Sequence, residues 1–150
     1  DRRLRVVLGD GAVHVPAHPG CADVLMLDGF EDGAHATELC TQRFYDAAYA
    51  ALREGGALSA NFMADDPKLD TWCRRIGKSF GERVLLVAAE DGVNMIVLAF
   101  RGGPARIAWD ELKARARALK RQYGLPFDYW IASLRSHNAH TARFLRIAPE

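Results

Sequence analysis

Two apolar runs in this chain end in an Asp-Gly step, and the second delivers a cluster of acids. Leu4-Arg5-Val6-Val7-Leu8-Gly9 leads into Asp10-Gly11, and Ala22-Asp23-Val24-Leu25-Met26-Leu27 leads into Asp28-Gly29-Phe30-Glu31-Asp32. Carboxylates are acceptors only, so such groups hold amines and cations or take a proton from them. Open α/β sheets place ligand chemistry at the carboxyl ends of their strands, which makes Asp10, Asp28, Glu31 and Asp32 candidate site residues. Asn61, at the end of a third apolar run, Ala57-Leu58-Ser59-Ala60, joins them as a ligand contact.

The elements that must carry these acids follow from periodicity and breakers. Runs at 4–8 and 23–28 read as strands, with Pro16, Pro19 and two glycines limiting 11–20 to one short helical turn and a loop. Thr41 to Glu54 has the apolar spacing of an amphipathic helix stopped by Gly55-Gly56, and 57–62 reads as a strand. A helix starting near Asp65-Asp66-Pro67 runs to Phe80 before Gly81. The runs 83–88 and 94–100 flank Glu90-Asp91-Gly92, the pattern of an antiparallel hairpin. After Gly102-Gly103-Pro104, helices are expected over 109–123 and from Phe127 to about His137. Alternating strands and helices call for a mostly parallel sheet with a terminal antiparallel hairpin. The organisation expected is an α/β domain over 1–103 and a helical appendage over 104–150.

A chain of 150 residues with 49% hydrophobic and 26% charged residues is one globular domain with a real core. Its net charge of +1 is unevenly spread: residues 1–101 carry 11 Lys/Arg against 15 Asp/Glu, and residues 102–150 carry 9 against 4. The acidic body suits a cationic ligand. Basic residues of the tail alternate with Ala and Leu at helical spacing without interleaved aromatics, which reads as a solvated face rather than a nucleic-acid surface. Cys21, Cys40 and Cys73 form no CxxC pair, so neither a disulfide framework nor a zinc site is indicated and a cytoplasmic setting is expected. Pro16 lies between His14 and His18 and no third ligand stands near, so no metal is expected. Ser133 and Ser136 lack a nucleophile elbow, and Trp72, Trp109, Trp130 and Tyr45 read as packing anchors.

The segments GDG at 9–11, LDGFED at 27–32, TQRFYDAAYAALREGGALSANF at 41–62 and AAEDGVNMIVLAF at 88–100 together resemble the second half of a spermidine synthase catalytic domain. The resemblance covers about residues 4–101. It implies a Rossmann-like class I methyltransferase fold, of which this chain holds the C-terminal portion. The family's N-terminal strands and Gly-rich loop are not among these residues. It implies polyamine aminopropyl transfer, with no tightly bound cofactor, decarboxylated S-adenosylmethionine as co-substrate and a diamine such as putrescine as acceptor. Asp10 and Gly11 then match the contact to the adenine amino group. Asp28 and Glu31 match the acid pair that holds the amine and takes its proton, with Asp32 and Asn61 beside them.

Departures from the family pattern accompany the matches. Glu31 stands for the usual Asp, no Pro-containing segment follows the acids, and Ala89-Glu90 replaces a tyrosine that often lines the amine site. The resemblance further implies a homo-oligomer, with no membrane partner. Two other readings are a methyltransferase using intact S-adenosylmethionine, and a catalytically silent fragment or interaction module. The 150-residue chain by itself is expected to be inactive.

Overall fold

The computed structural model describes residues 3–31 and 34–149, so Asp32 lies outside the described residues. Four strands form the main sheet: β1 (Ala22–Leu27), β4 (Leu52–Met63), β5 (Val84–Ala88) and β6 (Asn94–Phe100). Their order is β1-β4-β6-β5, with β1 parallel to β4 and β6 antiparallel to both of its neighbours. Three strands therefore run one way, and the reversed strand lies inside the sheet with β5 at the edge. Two short strands, β2 (Phe30–Glu31) and β3 (Ala34–His35), make a separate antiparallel pair immediately after β1.

One face of the sheet is covered by α2 (Gln42–Ala51) and α3 (Leu69–Phe80). Thr41 caps α2 by accepting from Phe44 N at 3.1 Å, and the helix then turns Phe44, Tyr45, Ala48 and Ala51 inward. Trp72, Ile76 and Phe80 do the same on α3, which ends at Gly81 in the left-handed conformation, φ 61°. These residues pack with Leu58, Ala60 and Phe62 of β4 and with Val97 and Ala99 of β6. The alternate residues, Leu98 and Phe100, face a second cluster around Leu85, Trp109 and Leu145. That cluster is built from α4 (Trp109–Tyr123), α5 (Phe127–His137) and a two-stranded pair, β7 (Arg106–Ala108) with β8 (Phe144–Arg146).

Three sequence expectations are corrected. Residues 4–8 form no strand, and Leu4, Val6, Val7 and Leu8 are exposed. A β-favouring composition does not make a strand unless a neighbouring backbone answers its N–H and C=O groups. The helix expected over 41–54 stops at Ala51, because Leu52 turns extended and pairs with Ala22. Between the register pairs Ala22/Leu52 and Val24/Ala57, β4 bulges. Gly56 is required there: a Cβ would lie 2.8 Å from Arg53 O and 3.0 Å from Asp23 O. Finally, the loop after Asp28 contains the unforeseen β2–β3 pair. The opening turn, by contrast, is the short one anticipated, α1 (Gly11–His14).

Candidate active site

The register of β1 on β4 positions the acid cluster. Leu27 lies opposite Ala60, so the residues that follow, Asp28 and Asn61, emerge side by side at the carboxyl ends of two parallel strands. Asn61 Nδ2 donates to Asp28 Oδ1 at 3.0 Å, while Asn61 Oδ1 is buried without a hydrogen-bond partner. Asp28 remains exposed. An exposed carboxylate with one oxygen held by an amide keeps free lone pairs for a ligand.

Gly29 then reverses the chain. Its carbonyl accepts from Ala36 N at 3.1 Å, closing the turn that carries Phe30 and Glu31 out along β2 and returns through Ala34 and His35. A side chain at position 29 would collide with Leu39, whose Cδ1 lies 2.6 Å from the place of a Cβ. The other methyl of Leu39 lies 3.5 Å from the corresponding place at Gly11. Both Asp-Gly steps therefore rest on one leucine from the short 3-10 turn Thr37–Cys40, which brings Asp10-Gly11 and Asp28-Gly29 into one neighbourhood.

Asp10 caps α1, its Oδ1 accepting from Ala12 N at 2.8 Å. This is the local turn role open to any Asp before a helix, and it leaves the second carboxylate oxygen uncommitted. Glu31 is exposed on the hairpin. Asp28, Asn61 and the Glu31 hairpin thus share one sheet end, with Asp10-Gly11 on the far side of Leu39. Among the described residues no group of three His, Cys, Asp or Glu could hold a metal ion.

His35 was not singled out by sequence reasoning, and the structure makes it the centre of the hairpin's packing. Its ring is buried against Phe30, Phe62 and Trp72, with centroids at 4.4, 5.2 and 4.7 Å. Its Nε2 accepts from Met63 N at 3.1 Å, which fixes the neutral tautomer with the proton on Nδ1. Burial pushes this imidazole below its ordinary value of 6.5, against the opposing pull of the Asp66 and Asp28 carboxylates. A histidine between Ala34 and Ala36 carries no recognisable motif, so only its position seven residues after Asp28 could have drawn notice.

No family model matches the chain. A polyamine aminopropyltransferase of Chromobacterium violaceum is 30% identical over 144 residues, 96% of this chain and 55% of the relative. One from Neisseria meningitidis is 28% identical over 145 residues, again 55% of the relative's length. Among solved structures, a spermidine synthase in complex with the transition-state analogue AdoDATO superposes with a TM-score of 0.66 at 26% identity, covering 89% of this chain and 48% of that one. The chain is similar to polyamine aminopropyltransferases over most of its own length. The spermidine synthase of Thermotoga maritima adds 31% identity over 68% of the chain, with a TM-score of 0.54. The chain spans about half the length of the curated relatives it matches. The methyltransferase-like fold is shared with these spermidine synthase structures.

Proposed function

We propose that the protein to which these residues belong transfers an aminopropyl group from decarboxylated S-adenosylmethionine to a diamine such as putrescine. The observation that carries this reading is the Asp28 carboxylate, held at the tip of β1 by Asn61 and followed within three residues by Glu31. Two carboxylates on one turn suit a cationic amine, and Asp28 is the group to take a proton from the attacking nitrogen. The freed lone pair forms a bond to the methylene beside the sulfonium. The carbon–sulfur bond breaks, and its electrons neutralise the sulfur to leave methylthioadenosine. Asp10 contributes its uncommitted oxygen to the adenine amino group, and Gly11 lets the backbone approach. Asp32, the third acid expected from the sequence, lies outside the described residues.

Residues 1–103 are the catalytic α/β unit in this reading, and residues 104–150 cover its second face around Trp109 and Leu145. The unpaired thiols of Cys21, Cys40 and Cys73 support a cytoplasmic setting. Among the described residues no helix is long and apolar enough to cross a membrane. Methylthioadenosine release by the complete gene product tests the reading: it is expected from decarboxylated S-adenosylmethionine only when a diamine is supplied. Absence of that product, or its formation without diamine, overturns it.

A further inference from the structure

The acid-bearing hairpin is tied to the rest of the site at two points. One is the turn at Gly29, through Ala36 N. The other is His35, whose Nε2 receives the amide proton of Met63, the last residue of β4. That strand also carries Asn61, which holds Asp28. The end of β4 therefore grips both acid segments: Asn61 fixes Asp28 directly, and Met63 fixes the strand paired with Glu31 through the imidazole. Within β2–β3, Phe30 pairs with His35 and Glu31 with Ala34, so displacement of His35 moves the backbone that presents Glu31.

We infer that His35 is a positioning residue for the amine site: as a neutral hydrogen-bond acceptor it locks the Glu31 hairpin to the end of β4. This rests on the amine-binding reading above and adds a residue that reading does not use. The fit argues for the acceptor rather than for bulk alone. Phe30, Phe62 and Trp72 already supply apolar surface, and the imidazole spends its ring nitrogen on an otherwise unanswered backbone donor.

The lock depends on protonation. Protonated His35 has no acceptor lone pair and turns a second N–H toward the Met63 amide. The ionisable groups around it are Asp28 at the end of β1 and Asp66 before α3, which favour the cation. Cys40, Lys68 and Arg75 share with it a cavity of about 290 Å³, also lined by Trp72. Burial opposes the cation and outweighs both carboxylates. The lock therefore opens as pH falls through the native value of His35, which lies below 6.5.

Three proteins test this: wild type, His35→Phe, which retains an aromatic ring without an acceptor, and His35→Gln, which retains an acceptor oxygen. Hydrogen exchange at the Met63 amide is the first readout, and the diamine KM and kcat of the complete gene product are the second. In His35→Phe the amide is expected to lose about tenfold in protection, the worth of one hydrogen bond, with a comparable rise in diamine KM and little change in kcat. His35→Gln is expected to recover part of both. In wild type alone, protection falls and KM rises as pH drops through the lowered native value of His35, and His35→Phe lacks that step.

Unchanged Met63 protection in His35→Phe overturns the lock. Lost protection with an unchanged diamine KM overturns its role in positioning. Because exchange is measured without any amine, wild-type protein that turns over no diamine counts against the functional reading, while the exchange result still decides the lock.

Discussion

The two edges of the sheet are finished in different ways. At the β5 edge, side chains of α5 and of Asn138, which follows it, answer the free backbone groups. Asn138 Oδ1 accepts from Leu86 N and its Nδ2 donates to Leu86 O, both at 2.7 Å, as a neighbouring strand would. Ser133 Oγ accepts from Ala88 N at 2.8 Å, and Tyr129 donates to Ala89 O at 2.7 Å. At the β1 edge the one ladder among the described residues is that to β4, and Val24 and Met26 stand exposed at 60% and 79%. One edge is covered by α5 and the residue that follows it, whereas among the described residues the other carries exposed apolar side chains and leads into the acids. The difference teaches how a sheet edge is closed without a further strand: side-chain capping answers the backbone of the edge remote from Asp28, while the acid cluster follows the strand at the other end of the sheet order.

Substitutions can break this contrast. The largest effect is expected from Asp28→Asn, which keeps the shape and the contact to Asn61 but removes the proton acceptor. Turnover of the complete gene product, followed as methylthioadenosine release, is expected to fall about 10²- to 10⁴-fold. At the opposite edge, Asn138→Ala leaves the Leu86 N–H and C=O without their partner. Urea unfolding is expected to show a loss of about 2 kcal/mol, with no direct effect on the acid site. Intermediate in size is the pH response of His35. Its native pKa is lowered, so the folded protein binds fewer protons than the unfolded one between that value and 6.5. Stability is then full above 6.5 and declines as pH falls through this window, a slope that His35→Phe is expected to remove. The smallest effect belongs to Met26→Thr on the open edge, expected to change the stability of residues 1–150 by less than about 0.5 kcal/mol because the side chain is exposed.

The cysteines sharpen the same contrast chemically. Burial raises the Cys40 thiol and pushes Cys73 up to about 11, whereas Cys21 is exposed just before β1. A thiol-alkylating reagent at neutral pH is expected to modify Cys21 first and Cys40 last, read by peptide mass.

Where one principle acted alone, the sequence foretold the structure. The strand ending at Leu27, the 84–100 hairpin and the helices closed by Gly81 and Gly124 each combine a clear period with a strong stop. Asp28 and Asn61 were legible as strand-end residues, and the structure joins them by a hydrogen bond. Where distant partners compete with local preference, the reading failed. Residues 4–8 have the composition of a strand but no ladder, and Arg53-Glu54 favour a helix that pairing with β1 ends at Ala51. His35 was invisible for a related reason. Its importance comes from Met63, 28 residues away, and from Trp72 on another helix, neither of which any local pattern links to it.

The central claim is that the Asp28 and Glu31 acid pair binds the amine, and diamine binding to the complete gene product is its most direct measure. Calorimetric titration of putrescine into the wild type and Asp28→Asn, with decarboxylated S-adenosylmethionine absent, reads the amine half of the site alone. The account predicts saturable binding to the wild type and at least tenfold weaker binding to Asp28→Asn. Equal putrescine affinity in the two proteins contradicts it.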